Sequence, residues 1–541
     1  MKNKIAMKKI RENIFEYIAL LLFAITNIIL HFVHEPCFDE AESWQLAKCN
    51  SFYDLLFTIP HYEGHPQLWH LILSVPAKLG VPYEIALKGI GFILIIAVVV
   101  MILFYSPFPR LLKLSLPFTY FIVYQYGAII RPYSILMLSL LFMAKGFKDR
   151  NEKPWRFVIP TIFLCFSSAY GLIIAGGIYM VWGIEILKSH KWNAKEVLKE
   201  NVVFPMLCVL LTAVVITMSI APYSDTFATN LSRENGVIRW LVYTFLQMPS
   251  DCFMGTVIAS ASPSPVLNND IGMILSTVFA TLLFAGLLFL ISSKEKIKYL
   301  ICPYTLFSLF SSITYFSSHH LGVVFSLFLF YLWISFEDGK FDGLNYLSNI
   351  KGLTSYKAKL KVLILIIVAL FIIVPVFDGV ASVYLDYKYQ YTPSKEAADF
   401  IKRNGLENLI IYDTWQKPAL KAASRQEENV NQHSEFVGIL PYFDRNIIAN
   451  LNFGEDSKAY NNHIYLSEAD NTMIKDRWGE GQVPDILLGD VDISEIFPQI
   501  TMKDYTCVYK IKHADYIWMG DAPFRTDKIY MRNDLLDKSY N

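Results

Sequence analysis

Long apolar runs dominate this sequence, and each is close to the length of about 20 residues that an α-helix needs to cross a bilayer. They extend over residues 17–33, 85–105, 202–220, 271–291, 299–316, 321–336 and 362–377. The runs contain almost no charge, and the 541-residue chain is 54% hydrophobic and only 18% charged. Soluble cores rarely need more than one or two such helices. The sequence therefore predicts an α-helical polytopic membrane protein, with the lipid bilayer as its first partner.

Charge in this chain is informative through its position, because the formal net charge at pH 7 is zero. Without a basic field, we expect no nucleic-acid partner. Lysine and arginine collect in alternate loops, and short basic loops stay in the cytoplasm far more often than they are translocated. The basic loops lie within residues 110–113, 145–156, 188–199, 294–298 and 340–361.

The basic-poor connections are expected on the outer side of the cytoplasmic membrane. They are a first external loop over residues 34–80, a large external loop over 221–270, and the short segment 317–320. The stretch HPQLWHLILSVPAKL, residues 65–79, is short and contains two prolines, so we expect it to form an interfacial or half-inserted helix of the first external loop. With the short pair 157–168 and 171–187 counted as crossings, the sequence predicts about 11 transmembrane helices and a cytoplasmic amino terminus.

The composition changes after residue 380, which divides the chain into a membrane module (1–380) and a C-terminal domain (381–541). In the second part, SKEAADFIKRNGLENLIIYDTW predicts a helix, a turn at Asn404-Gly405 and a strand, and VPDILLGD and YTCVYKI predict further strands. An odd number of crossings places this domain outside the cytoplasm. We therefore expect a small extracytoplasmic α/β domain.

The predicted topology brings polar groups from distant parts of the sequence to one external surface. An acid there can remove a hydroxyl proton as a general base, and cationic or imidazole groups can hold an anion. The candidates are Asp39 and Glu40 as catalytic acids, and His65, Arg131, His319 and His320 as ligands of a phosphate.

Each candidate also has a structural interpretation. Asp39 and Glu42 have the spacing of a helix capping box, which can coexist with catalysis. Arg131 precedes Pro132 and can be an interfacial arginine at a helix start. The His319-His320 pair can contact an anion, bind a metal or form a polar turn, and His65 can stack on an aromatic neighbour. Neighbouring residues seldom bind one metal together, which ranks the metal last.

The order of four elements resembles the GT-C membrane glycosyltransferases. These elements are the acid pair Asp39-Glu40 after the first membrane helix, the stretch His65-Pro66-Gln67-Leu68, an Arg-Pro-Tyr at residues 131–133, and the histidines before a late helix. Over residues 10–380, the chain is similar to bacterial relatives of the protein O-mannosyltransferases and lipid A aminoarabinose transferases. It departs from the latter at His65, where a lysine is common, and at Gln67, where a second proline is common.

The resemblance implies an inverting glycosyltransferase with a polyprenyl-phosphate-linked sugar as donor and Asp39 as the base. The sugar and the acceptor, whether glycan, lipid or protein, are left open, and so is a divalent cation as cofactor. Two other functions also fit the sequence. One is a membrane transporter or lipid flippase, in which charges line a route through the bilayer. The other is a non-catalytic assembly subunit of a cell-envelope glycan pathway.

Overall fold

The computed structural model is mostly helical, with a small sheet near the carboxyl end. It describes residues 12–223, 236–249, 251–253, 271–314, 316, 318–343, 346, 357–414, 435–449, 483–490, 493, 497, 499–514 and 516–536.

The first part of the chain contains long apolar helices and, between them, several shorter ones. They are α1 (Ile14–Val33), α2 (Phe38–Cys49), α3 (Phe52–Phe57), α4 (Ile59–Glu63), α5 (Leu68–Lys78), α6 (Tyr83–Val100), α7 (Arg110–Ser115), α8 (Tyr133–Gly146), α9 (Trp155–Ser167), α10 (Ala169–Ser189), α11 (Ala194–Val197) and α12 (Val203–Ser219). A π-helical turn continues α6 over Met101–Tyr105, and another forms Phe121–Gln125 before α8.

The remaining described α-helices belong to the rest of the membrane module and to the C-terminal domain. They are α13 (Gly236–Val242), α14 (Ile271–Ile291), α15 (Lys298–Ile313), α16 (Leu321–Asp338), α17 (Lys357–Lys388), α18 (Ser394–Arg403) and α19 (Asn533–Leu536). A π-helical turn, Tyr243–Gln247, continues α13, and a 3-10 turn, Ser318–His320, leads into α16.

Within the described residues, five helical segments are long and apolar enough to cross a membrane. They are Ile14–Val33, Tyr83–Tyr105, Ala169–Ser189, Leu321–Asp338 and Ile366–Lys388. Shorter apolar helices cover Tyr133–Gly146, Trp155–Ser167, Val203–Ser219 and Val278–Ile291. These elements agree with a helical membrane protein, whereas the predicted number of about 11 crossings remains a prediction.

The long helices differ in how much of their surface other helices cover. α16 is almost completely buried and packs against α8. By contrast, most apolar side chains of α1 are exposed, and those described in α17 are mostly half-buried or exposed. A helix that is apolar all round and covered by protein occupies the centre of a bundle, and exposed apolar faces suit a lipid surrounding. The turn that leads into α16 is therefore held at the centre of the module.

Both of the longer predicted external loops contain helices, including the one that was predicted at residues 65–79. The stretch 65–79 forms α5, which has Pro76 inside it and is too short to cross a bilayer. The described part of the predicted loop 221–270 contains α13 and its π-helical continuation. Residues 224–235, 250 and 254–270 of that predicted loop lie outside the described residues.

The C-terminal domain has the helix, turn and strands that the sequence predicted. α18 ends before Gly405, which has a φ of 64°, and a four-stranded sheet follows with the order β1-β2-β4-β3. Strands β1 and β2 are parallel, and the β3-β4 hairpin adds to β2 antiparallel. The strands are β1 (Ile411–Asp413), β2 (Ile486–Leu488), β3 (Tyr505–Ala514) and β4 (Phe524–Arg532).

The domain packs directly on the membrane module. α17 continues to Lys388, past residue 380, and leads into the domain without a long linker. Phe38, at the start of α2, belongs to the apolar core of the domain. Lys395 of α18 forms an ion pair of 2.8 Å with Glu84, at the start of α6. These contacts hold the C-terminal domain against the helix that carries Asp39.

Candidate functional site

Asp39 and Arg131 form an ion pair, although 92 residues separate them in the chain. Arg131 Nη1 donates to Asp39 Oδ2, and the Arg131 guanidinium also lies over the ring of Tyr133, with its Cζ 5.8 Å from the ring centroid. The Arg131 side chain is 16% exposed and that of Asp39 is 41% exposed. A mobile molecule can therefore reach the carboxylate, while the guanidinium is held by its surroundings.

The capping box at the start of α2 differs from the predicted one. Its N-cap is Cys37 and its third residue is Glu40, whose Oε2 accepts a 2.8 Å hydrogen bond from the Cys37 backbone N–H. The prediction that paired Asp39 with Glu42 was wrong by two positions, because the helix begins directly after Cys37. The carboxylate of Asp39 is consequently directed to Arg131 instead of to the helix end.

Glu40 links two segments that carry the ion pair. Its side chain is completely buried, and its Oε1 accepts a 2.7 Å hydrogen bond from the backbone N–H of Ile130. One carboxylate thus fixes the start of α2 and the residue before Arg131. Since buried carboxylates are costly unless they are hydrogen-bonded or paired, these contacts explain how an acid is kept at this position.

His34 is a second buried charge beside this group. Its Nδ1 is 2.8 Å from Asp386 Oδ2 of α17, and its Nε2 is 3.8 Å from Glu40 Oε2. Burial alone would lower the pKa of His34, but Asp386 and then Glu40 outweigh burial and raise this pKa to about 10. Protonated His34 therefore connects the last apolar helix to the start of α2.

The segment before Arg131 is also held by α1. Both Asn27 Nδ2 and His31 Nε2 lie within hydrogen-bond distance of the Gly127 carbonyl oxygen, at 2.8 and 2.9 Å. A Cβ at Gly127 would lie only 2.5 Å from the carbonyl oxygens of Ile122 and Val123, so glycine is required by this close approach. The backbone that presents Arg131 is thus fixed by the first membrane helix.

His319 lies near the ion pair, with its ring centroid 6.0 Å from that of Tyr133. Burial, and next the charge of Arg131, lower the pKa of His319 from 6.5 to about 3, despite the opposing effect of Asp39. A charge on His65 acts in the same direction as Arg131, so all four side chains share one electrostatic environment. His319 is therefore neutral at physiological pH, with one ring nitrogen as donor and the other as acceptor.

His320 has different surroundings from its neighbour. It is 1% exposed, and its ring centroid lies 4.6 Å from that of Tyr170 and 5.6 Å from that of Phe316. The rings of His319 and His320 remain close, with centroids 4.0 Å apart. Both histidine rings lie against Tyr133, with centroids 6.0 Å (His319) and 5.7 Å (His320) from that of the tyrosine, and Arg131 lies over the same ring. His65 is linked to this group only through its electrostatic effect on His319.

The described residues contain no group of three or more His, Cys, Asp and Glu side chains that could hold a metal ion. The functional groups that the described side chains bring to this site are an accessible carboxylate, a guanidinium and a neutral imidazole. A carboxylate can accept a proton, and a guanidinium can bind two oxygens of a phosphate or carboxylate.

The chain matches no known protein-family profile, no curated protein sequence and no solved structure.

His34 and Asp386 were not among the residues singled out from the sequence. His34 begins the stretch HEPCFDEAESWQ, and Asp386 lies near the end of α17, beyond the apolar run that was predicted to end at residue 377. An acid in a helix that continues an apolar run is costly and therefore usually paired. That cost was the available signal for Asp386, but it did not identify His34 as its partner.

Proposed function

We propose that the chain is an inverting glycosyltransferase of the cytoplasmic membrane. It would transfer a sugar from a polyprenyl-phosphate donor to a hydroxyl of a glycan, lipid or protein on the external face. The observation that carries the proposal is the ion pair between accessible Asp39 and half-buried Arg131. This pair supports the proposal because a carboxylate can accept a proton and a guanidinium can bind a phosphate. It lies after the end of α1 and directly before α8, which are both apolar helices.

In the proposed reaction, Asp39 accepts the proton of the acceptor hydroxyl. The hydroxyl oxygen forms a bond to the anomeric carbon on the side opposite the phosphate, and the bond from that carbon to the phosphate oxygen breaks. The electron pair leaves with the prenyl phosphate, so the anomeric configuration is inverted. Because Asp39 must be free to accept the proton, the arriving phosphate is expected to take over the guanidinium of Arg131.

The leaving phosphate gains negative charge during this step. Arg131 is fixed by the backbone contacts of Ile130 and Gly127 and can bind two phosphate oxygens in a fork. Neutral His319 can donate one hydrogen bond to the same phosphate, while Arg131 supplies the positive charge. His65, in the same electrostatic environment, is the second donor. Glu40 positions Ile130 and Cys37, so we assign it a positioning role instead of contact with the substrate.

The location of the group supports a lipid-linked donor. Asp39 follows α1, and His319 precedes α16, so both lie at the ends of helices that are long enough to span a bilayer. A prenyl phosphate has its chain among the lipids and its phosphate at the interface, next to such helix ends. A transporter instead needs charges along a route across the bilayer, and solute uptake by proteoliposomes without a covalent product would favour that function.

Arg131→Gln is expected to lower the rate of transfer by about 10²–10³-fold, the usual effect of losing one preorganised donor to a developing anion. Arg131→Lys keeps the charge but loses the fork, so it should restore part of the rate. The measurement is product formation by the purified protein with a prenyl-phosphate sugar donor. Equal activity of the wild type and Arg131→Gln would contradict phosphate binding by this residue.

The proposed sidedness predicts which cysteines a membrane-impermeant maleimide labels in intact cells. The background for this test is a variant in which the five cysteines that are not fully buried are changed to serine, namely Cys37, Cys49, Cys208, Cys302 and Cys507. In this background, Tyr53→Cys should be labelled from outside, because Tyr53 is exposed in the segment that follows Asp39. Glu152→Cys, in a basic loop, should be labelled only after the cells are permeabilised. Labelling of both positions in intact cells, or of neither, would contradict the proposed orientation.

A further inference from the structure

A groove runs lengthwise between helices α10 and α12 of the membrane module. It encloses about 440 Å³ and is lined by apolar residues of these helices, with Cys165 of α9 and Val197 of α11 at its ends. On α10, the lining positions extend from Leu172 to Leu187. At about 1.5 Å per residue, this stretch is about 20 Å long, which is more than one leaflet of the hydrocarbon core of about 30 Å.

Two glycines of α10 keep the groove open. A Cβ at Gly176 would meet no atom within 4 Å, and a Cβ at Gly183 would meet only Met206 Cε, at 3.7 Å. Both glycines lie in the interior of a helix, where glycine is less favourable than alanine. No neighbouring backbone requires a glycine at either position. The missing side chains of these two residues therefore leave the space open.

One end of the groove is basic. Lys188 directly follows Leu187, which lines the groove, and Lys191 and Lys195 lie in the connection to α11 and in α11 itself. All three lysines are exposed and form no ion pair with another described residue, whereas nearby Lys199 pairs with Glu196 at 2.8 Å. Trp192 is 62% exposed between them, and exposed tryptophan is typical of the boundary between lipid and water.

From this geometry we infer that the groove binds one anionic glycerophospholipid of the leaflet at the basic end. An acyl chain would lie between α10 and α12 along Gly176 and Gly183, and the lysines would contact the phosphate of the headgroup. Charge complementarity selects this occupant, because lysines at the membrane surface attract anionic lipids. The groove is separate from the Asp39–Arg131 group, and the inference does not depend on the proposed transferase activity.

The test uses the full-length protein in detergent, stripped of lipid and then titrated with palmitoyl-oleoyl phosphatidylglycerol or with the corresponding phosphatidylcholine. Native mass spectrometry counts the lipids that each chain retains. The wild type should retain one phosphatidylglycerol, bound roughly tenfold more tightly than phosphatidylcholine because of the lysines. Inorganic phosphate in excess should not displace the lipid, since the acyl chain contributes to its binding.

Gly176→Leu should weaken retention of phosphatidylglycerol by roughly tenfold, because the leucine side chain fills the space of the acyl chain. Gly286→Leu on α14 is the matched control, since a Cβ there also meets no atom within 4 Å, and it should retain lipid as the wild type does. Thermal unfolding of both variants checks that they are folded. Equal retention by the two variants would overturn the inference.

A second variant tests the headgroup contact separately. Changing Lys188, Lys191 and Lys195 to glutamine should abolish the preference for phosphatidylglycerol while phosphatidylcholine still binds. The same change at the exposed lysines Lys148, Lys153 and Lys340, in other basic loops, should keep the preference. Equal binding of the two lipids by the wild type would overturn the inference. So would a change in oligomeric state in Gly176→Leu without loss of lipid, because a protein helix would then occupy the groove.

Discussion

Asp39→Asn is expected to lower the rate of sugar transfer by about 10²–10⁴-fold, the range that a general base usually contributes. Asparagine has nearly the same shape as aspartate but cannot take the proton of the acceptor hydroxyl. The start of α2 should remain intact, because its cap consists of Cys37 and Glu40 and does not involve Asp39. Expression and membrane insertion are therefore expected to survive, and the loss should appear in product formation at saturating donor.

Asp54→Asn is the matched control for this experiment. Asp54 is another aspartate near the start of a short helix in the same segment, where its contacts are with Ser51 and Thr58. Because these contacts only cap α3, the control should keep transfer within a few-fold of the wild type. If Asp39→Asn and Asp54→Asn were equally active, Asp39 would have a structural role and the proposed chemistry would fail.

His34→Gln is expected to destabilise the protein by about 3–5 kcal/mol, the usual cost of removing one partner from a buried ion pair. Without the imidazolium, Asp386 and Glu40 would lie buried beside each other with no positive charge between them. Thermal unfolding of the purified protein, followed by tryptophan fluorescence, measures this loss. It should be large at neutral pH, because His34 is then protonated in the folded state.

The pH dependence of this effect follows from the direction of the pKa shift. The pKa of His34 is raised from 6.5 to about 10, so its stabilising contribution is complete below pH 6.5 and is lost as the pH rises through 10. The unfolding temperatures of the wild type and His34→Gln should therefore converge from pH 6 to pH 10. A difference that stays constant over this range would contradict a charged His34.

His190→Gln provides the comparison for a surface pair. His190 lies 3.1 Å from Glu200, but both side chains are partly exposed. Solvent screens such a pair, and we expect a change of about 0–1 kcal/mol. If His190→Gln lost as much stability as His34→Gln, then burial of the two side chains would not determine the cost of removing one partner of an ion pair.

Local patterns in the sequence predicted local structure well. The apolar runs became long helices, and the stretch after residue 393 became α18, the turn at Gly405 and β1, because each depends on neighbouring residues. The capping-box spacing of Asp39 and Glu42 also placed Asp39 near the start of a helix. It did not fix the helix start, so the capping box was predicted two residues too late. Helix boundaries depend on which competing side chain reaches the first N–H groups, and tertiary contacts decide that.

For residues on different helices, the sequence could predict only that they lie on the same side of the membrane. It could not predict which of them are in contact. The sequence placed Asp39, Arg131 and His319 on one surface, and the structure brings them together. The bond between His34 and Asp386 spans 352 residues, and no periodicity or spacing relates its partners. The contact between His320 and Tyr170 was missed for the same reason, since 150 residues separate the two in the chain.

Mass spectrometry of membrane lipids and surface glycans, from cells with and without this protein, would show whether a lipid-linked sugar is consumed on the external face, as we propose for the reaction at Asp39. We expect cells without the protein to accumulate one prenyl-phosphate sugar and to lose one surface decoration that carries the same sugar. Unchanged prenyl-linked sugars together with intact surface glycans would contradict the proposed reaction.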